Sequence, residues 1–268
     1  MEVLISVKGL KISTKDKEIL CLDDFSVNKG EIIFLNGGNG CGKSSLLNAL
    51  FGMDNNSGVN LIMADDGHCF FKSDNYDIDL FKHGEEDDNI INNEISYLEQ
   101  TDKFNKNKKF VFLMEAPTLA AIDNSGKQNQ EKLRIKCHEL AKEYLRLFIF
   151  DKRKKVDKYL SGGEGRMLSF FAIYLKAVVM NSSLLVLDEP LNYLSKENKK
   201  VVDQKLSELI YERMEKGNPI SIIIVSHCLI FKFIENDKLN IKNLVYNFEN
   251  KTFQEREIQY HNCLYCYD

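Results

Sequence analysis

Hydrophobic positions along the chain fall into two patterns. Three short runs are apolar at nearly every position: IIFL at 32–35, LLVL at 184–187 and ISIIIV at 220–225. A strand without polar alternation is buried on both faces. Such strands, separated by helices, predict a parallel sheet covered on both sides. The segments between them carry the helical period. Residues 44–51 are an apolar run that predicts a helix directly after a glycine-rich loop. In 128–149, Leu133, Cys137, Leu140, Tyr144 and either Leu147 or Phe148 fall on one stripe. Residues 164–180 are apolar nearly all round, which predicts a helix buried on most sides. A further helix is expected around 196–214.

Elsewhere the pattern is that of strands and turns. Residues 2–35 read as strands, with VLISV at 3–7 and the run at 32–35 clearest and Asn28-Lys29-Gly30 as a turn. Residues 53–94 are polar and rich in Asp, Asn and Gly, which predicts short strands and loops, with EEDD at 85–88 as a solvated tip. Residues 239–258 alternate around Glu249-Asn250-Lys251 and predict a closing hairpin. No internal repeat is present, so one unit of 1–268 is expected.

Composition narrows the class. The chain has 268 residues, 44% hydrophobic and 28% charged, as in an ordinary globular protein. A net charge of −4 gives no electrostatic case for nucleic-acid binding. The apolar runs fall far short of the roughly 20 residues of a spanning helix. The start, MEVLISVKGL, lacks the features of a signal peptide. A cytoplasmic location is expected, with any membrane role arising through partners. Seven scattered cysteines (21, 41, 69, 137, 228, 263, 266) fit free thiols in a reducing compartment.

Gly37-Gly-Asn-Gly-Cys-Gly-Lys-Ser44 matches the phosphate-loop pattern G-x4-G-K-[ST], with an apolar strand before it and a helix after it. Its glycines let backbone N–H groups curl around phosphate oxygens, and the helix start adds its dipole. Asn36, Gly37, Gly38, Asn39, Gly40, Cys41, Gly42, Lys43, Ser44 and Ser45 are therefore candidates for binding ATP. Lys43 would meet the β- and γ-phosphates, and the Ser44 hydroxyl would ligate Mg²⁺. The apolar run at 184–187 ends in Asp188-Glu189-Pro190. Ligands gather at the carboxyl ends of strands in an open parallel sheet. Asp188 could hold Mg²⁺ there, and Glu189 could polarise an attacking water as general base. Taken alone, the pair could also be an acidic cap with Pro190 at a helix start.

A second anion-binding helix start is written into Leu160-Ser-Gly-Gly-Glu164. Ser161 is the candidate N-cap, and Gly162-Gly163 would let backbone approach a ligand closely. One chain cannot easily bring both loops to one phosphate, whereas two chains can. With these motifs in view the chain resembles the ATP-binding cassette (ABC) ATPases along nearly its whole length. GGNGCGKSS, ISYLEQ ending at Gln100, LSGGE, LLVLDEP and IIIVSH ending at His227 occur in the family's order. The resemblance implies an α/β P-loop NTPase fold with a mainly parallel central sheet, an antiparallel β-subdomain and an inserted helical subdomain. It implies 1–100 and 160–268 as the nucleotide-binding core, 53–99 contributing to the β-subdomain and 101–159 as the helical part. It also implies roles. Gln100 would touch Mg²⁺ or the attacking water. His227 would contact the γ-phosphate. Ser161, Gly162, Gly163 and Glu164 would close over a partner's ATP.

Four features depart from the family pattern. No Tyr or Phe lies near Ser13 or Thr14, where the family places a ring under adenine. Ser195 stands where the loop after Asp188-Glu189 usually ends in Asp. Cys228 follows His227 where Asp is frequent. The interval from Lys43 to Gln100 is long, which predicts an enlarged β-subdomain. Two further clusters are weaker: His261-x-Cys263-x-x-Cys266 offers only three ligand types and reads as free thiols, and the basic run at 152–155 reads as a solvated turn.

What the resemblance implies about function is an ATP-hydrolysing subunit. It would form a homodimer, or pair with a second ABC ATPase subunit, around two ATP. It would power transport through separate transmembrane subunits. The alternative is a soluble ABC ATPase acting on a protein partner, as in iron–sulfur cluster assembly.

Overall fold

The computed structural model describes residues 2–13, 18–51, 60–73, 76–82, 84–101, 108–126, 129–147, 160–226, 231–247, 249 and 252–257. Thr14, His227, Cys228, the run at 152–155, the Lys-rich stretch before Leu160 and the cysteines of the C-terminal cluster lie outside them.

Two sheets organise the chain. Strands β1 (Val3–Ser13), β2 (Glu18–Asn28), β4 (Asn60–Ser73) and β5 (Tyr76–Asp79) form an antiparallel sheet in the order β2-β1-β4-β5. Strands β3 (Glu31–Asn36), β6 (Ile95–Leu98), β7 (Leu184–Asp188), β8 (Ser221–Val225), β9 (Asn240–Asn247) and β10 (Thr252–Glu255) form the second, in the order β10-β9-β3-β8-β7-β6. It is parallel from β9 to β6, and β10 closes its edge as an antiparallel hairpin partner of β9. The helices are α1 (Lys43–Phe51), α2 (Glu85–Glu94), α3 (Phe110–Asn124), α4 (Gln130–Leu147), α5 (Gly162–Met180) and α6 (Lys196–Glu215).

The apolar strands behave as their pattern requires. Ile32, Phe34, Leu185, Leu187, Ile222 and Ile224 share one core with residues of α3, α4, α5 and α6. Their neighbours Ile33, Leu35, Leu184, Val186, Ile223 and Val225 share the other core with α1 and the antiparallel sheet. Successive side chains of a strand point to opposite faces, so a strand sandwiched between two layers must be apolar throughout. The fold is the α/β P-loop arrangement expected, with an antiparallel sheet beside a mainly parallel one.

Three readings change. The 53–94 segment is not a set of short strands: Asn60–Ser73 is one long strand paired with β1. Glu85–Asp88 is no solvated tip but the first turn of α2. Four carboxylates at a helix N-terminus are favoured by the helix dipole, which offsets the poor helix propensity of Asp and Asn. Finally, Ile95–Leu98 does not join the antiparallel sheet. It pairs with β7 and extends the parallel one, so Gln100 follows a core strand. On α4 the expected stripe is buried at Cys137 and Tyr144, while Leu147 is exposed. Cys21, Cys41, Cys69 and Cys137 are free thiols; burial pushes Cys69 and Cys137 up to about 12, which leaves them unreactive.

Candidate functional site

The parallel strands β3 and β7 end side by side, separated only by β8. Everything chemical in the site hangs from those two ends. Strand β3 stops at Asn36, whose amide donates to Asn243 on β9. The loop beyond it turns where only glycine fits. At Gly37 a Cβ would sit 2.8 Å from Cys41 Sγ and from Tyr246 Cβ. At Gly42, with φ of +98°, it would sit 2.5 Å from Ile19 Cγ2. Helix α1 begins at once, and Leu46 N donates to Gly42 O at 2.8 Å. The Lys43 ammonium is buried under the arch of the loop. It donates to Gly37 O at 2.8 Å and Gly38 O at 3.1 Å. A lysine held against the carbonyls of a glycine-rich loop at a helix start is an arrangement suited to anions.

Strand β7 delivers the carboxylates. Asp188 is fully buried, and neither of its oxygens has a hydrogen-bond partner of normal geometry among the described residues. Burial pushes its carboxyl above the usual range; Glu189 adds to the push, and Ser44, Arg166 and Lys43 oppose it. A buried carboxylate with so little hydrogen bonding is costly, and its two oxygens are of a type that can hold a cation. The Ser44 hydroxyl lies 3.5 Å from Gln100 Oε1, so the ends of α1, β6 and β7 converge on one point. Glu189 takes a left-handed conformation, φ of +53°, and its N–H donates to Val225 O at 2.9 Å. Its carboxylate accepts from the Asn192 amide.

Residues 39–45 line a cavity of about 670 Å³ together with Gln100, Glu189, Asn192, Tyr193, Glu18, Ile19 and Tyr246. Of the residues expected at the site, Asn36, Gly37, Gly38 and Asp188 are not among those that line it. Residues 161–164 do not line it. They begin α5, where Ser161 accepts from Glu164 N at 3.2 Å and Glu164 Oε2 accepts from Ser161 N at 2.9 Å. This reciprocal capping box fixes the helix start. The Tyr193 ring packs 3.4 Å from where a Cβ on Gly162 would lie, and the Tyr193 carbonyl oxygen lies 2.7 Å from one on Gly163. His227 lies outside the described residues, just beyond β8 and Ser226.

Glu18, Ile19, Asn192, Tyr193 and Tyr246 of this lining, and Arg166 behind it, escaped the sequence reading. Arg166, 1% exposed, donates to the carbonyls of Glu99, Gln100, Asp188 and Glu189. Its signal was a charged residue inside a largely apolar helix, a mark it shares with the buried Lys176. Asn192 belongs to a turn whose only sequence mark was its place after Glu189. Tyr246 lies far along the chain on β9, and its hydroxyl donates to Ile19 O at 2.9 Å. No local pattern could have joined those two. Ser195, marked as a departure, has a plain structural role: its hydroxyl caps α6, accepting from Asn198 N at 3.3 Å.

Comparisons with known proteins bear on the family and the fold. The family model described as ABC transporter matches residues 21–192, well over half of the chain. The phosphonates import ATP-binding protein PhnC of Fusobacterium nucleatum is 28% identical over 264 residues, covering 96% of each chain. The lipoprotein-releasing system ATP-binding protein LolD of Buchnera aphidicola is 28% identical over 232 residues, covering 81% of this chain and 83% of its own. A nucleotide-free ATP-binding cassette from an ABC transporter, solved as a crystal structure, superposes with a TM-score of 0.64 at 21% identity, covering 94% of this chain and 90% of the other.

Proposed function

This chain belongs to the ABC transporter family, and from that premise we propose that it binds and hydrolyses ATP as one of two such subunits that drive transport through separate membrane proteins. The observation that carries the reading is the convergence at the ends of β3, β6 and β7. An ammonium held against the carbonyls of a glycine-rich loop meets a buried carboxylate, with a second carboxylate one residue on.

Each residue has a part in this reading. The amides of 37–45 and Lys43 hold the β- and γ-phosphates. Asp188, Ser44 and Gln100 fit a divalent cation: all offer oxygen, and Asp188 has both oxygens to give. Mg²⁺ bound there would neutralise charge on the phosphate oxygens. Glu189 accepts a proton from the attacking water, and His227 contacts the γ-phosphate. Residues 161–164 lie outside the cavity, which supports their serving the ATP of a partner chain. In the same reading 1–100 with 160–268 form the nucleotide-binding core, and 101–159 form the helical part. No helix among the described residues is long and apolar enough to cross a membrane. That fits a subunit on the cytoplasmic face held by separate membrane partners. Their co-purification from detergent extracts would separate transport from action on a non-membrane partner.

The test of hydrolysis is Glu189→Gln. Removing a general base costs about a hundredfold or more in rate, while phosphate binding stays. The variant should retain ATP and run as a dimer on size exclusion in its presence. Hydrolysis at the parental rate would show that Glu189 is not the base.

A further inference from the structure

Glu189 occupies an unusual backbone. Its φ of +53° is left-handed, as is that of Tyr193 at +62°. Non-glycine residues rarely sit there, and such conformations cluster where function fixes the chain. The turn between them is closed by backbone bonds: Asn192 N donates to Glu189 O at 3.2 Å, and Leu194 N to Leu191 O at 3.3 Å. The Asn192 side chain is therefore not needed to close the turn. Nor does it cap α6, which Ser195 does. Its Nδ2 donates instead to Oε2 of Glu189, and both residues line the phosphate cavity.

We propose that Asn192 is the positioning residue of Glu189, its amide holding the carboxylate in the orientation that serves an attacking water. This rests on Glu189 being the general base. A glutamate side chain has three torsions, and fixing them costs rotamer freedom. A base must lie within hydrogen-bond reach of its proton donor. An amide three residues along the same turn fixes the carboxylate in advance, without adding a second charge to the site. Because the Asn192 amide is bonded to the base, its effect is expected on the chemical step and not on ATP binding.

The test is Asn192→Asp, which keeps the shape and the turn-forming character of the side chain but replaces the donor by an acceptor. With the purified full chain, kcat should fall about tenfold while KM for ATP stays within about twofold. Asn192→Gln, which retains an amide, should recover most of the loss, and Asn192→Ala should behave like Asn192→Asp. In a Glu189→Gln background, Asn192→Asp should cause no further loss, because the group it acts through is gone. If Asn192→Asp hydrolyses ATP at the parental kcat, or if KM rises in step with the fall in kcat, the amide does not position the base. Should Asn192→Asp fail to fold, Asn192→Gln and Asn192→Ala decide the matter: equal activity in the two sinks the proposal. Glu189→Gln separates the two claims. If it is inactive while Asn192→Asp is normal, only the amide's role falls. If it hydrolyses at the parental rate, or if the parent chain has no ATPase activity, both fall.

Discussion

Arg166 ties two strand ends together with one side chain. Its guanidinium donates to carbonyls at the end of β6 and at the end of β7. Gln100 and Glu189 are thereby referred to one rigid group, even though neither side chain touches it in these bonds. A planar fork with five donors can span the gap, and a single ammonium cannot. Arg166→Lys should therefore leave buried carbonyls without donors. The expected loss is about 2 kcal/mol of stability, read as a lower urea midpoint with an unchanged slope. An unchanged midpoint would mean the bonds are dispensable. At this scale the sequence was legible where chemistry is local. Lys43, Ser44, Asp188 and Glu189 could be picked out because each sits in a short motif with a strand or helix beside it. Arg166 and Tyr246 could not, because their partners lie on other elements, and the register between elements is not written in any one segment; Asn192 could not, because its contact with Glu189 depends on a left-handed turn that the residue types there do not announce.

Helix α5 shows how an element converts a short motif into a rigid surface. Its capping box begins the helix at Ser161, and the thirteen buried residues behind that cap hold it in the core. Ser161→Ala should cost about 1 kcal/mol, measured by thermal or urea unfolding. The two glycines after the cap are not equivalent. A methyl at Gly162 meets the Tyr193 ring at 3.4 Å, an ordinary contact, whereas one at Gly163 meets the Tyr193 carbonyl oxygen at 2.7 Å. Gly163→Ala should therefore be the more damaging substitution, and equal stability of the two variants would contradict the geometry. The elements with clean periodicity were readable in advance: α5, β7 and β8 from unbroken apolar runs, α4 from its stripe. Helix α2 was not. Half of its residues are Asp or Asn, which are poor helix formers, and it is stabilised by acidic charge at its start and by burial of Ile91, a tertiary effect that composition does not reveal.

For the molecule as a whole, the central sheet is shared property. One face packs against α3–α6 and the other against α1 and the antiparallel sheet, with alternate residues of the same strands serving each core. Neither core can be opened without exposing the strands of the other. Urea unfolding followed by far-ultraviolet circular dichroism and by tyrosine fluorescence should give coincident transitions. Two separated transitions would show that the layers fold independently. The strand carrying the phosphate loop makes a further point about timing. Strand β3, which ends at Asn36, lies between β8 and β9, so it is translated long before either neighbour, the first of which begins at Ser221. At roughly 5–20 residues per second on the ribosome, the interval is about ten to forty seconds. For that time the nascent chain carries a complete phosphate-loop sequence with no sheet to hold it. Competence to bind nucleotide is then expected to arrive abruptly, when β8 and β9 have emerged, and a chain halted before Ser221 should not compete for nucleotide.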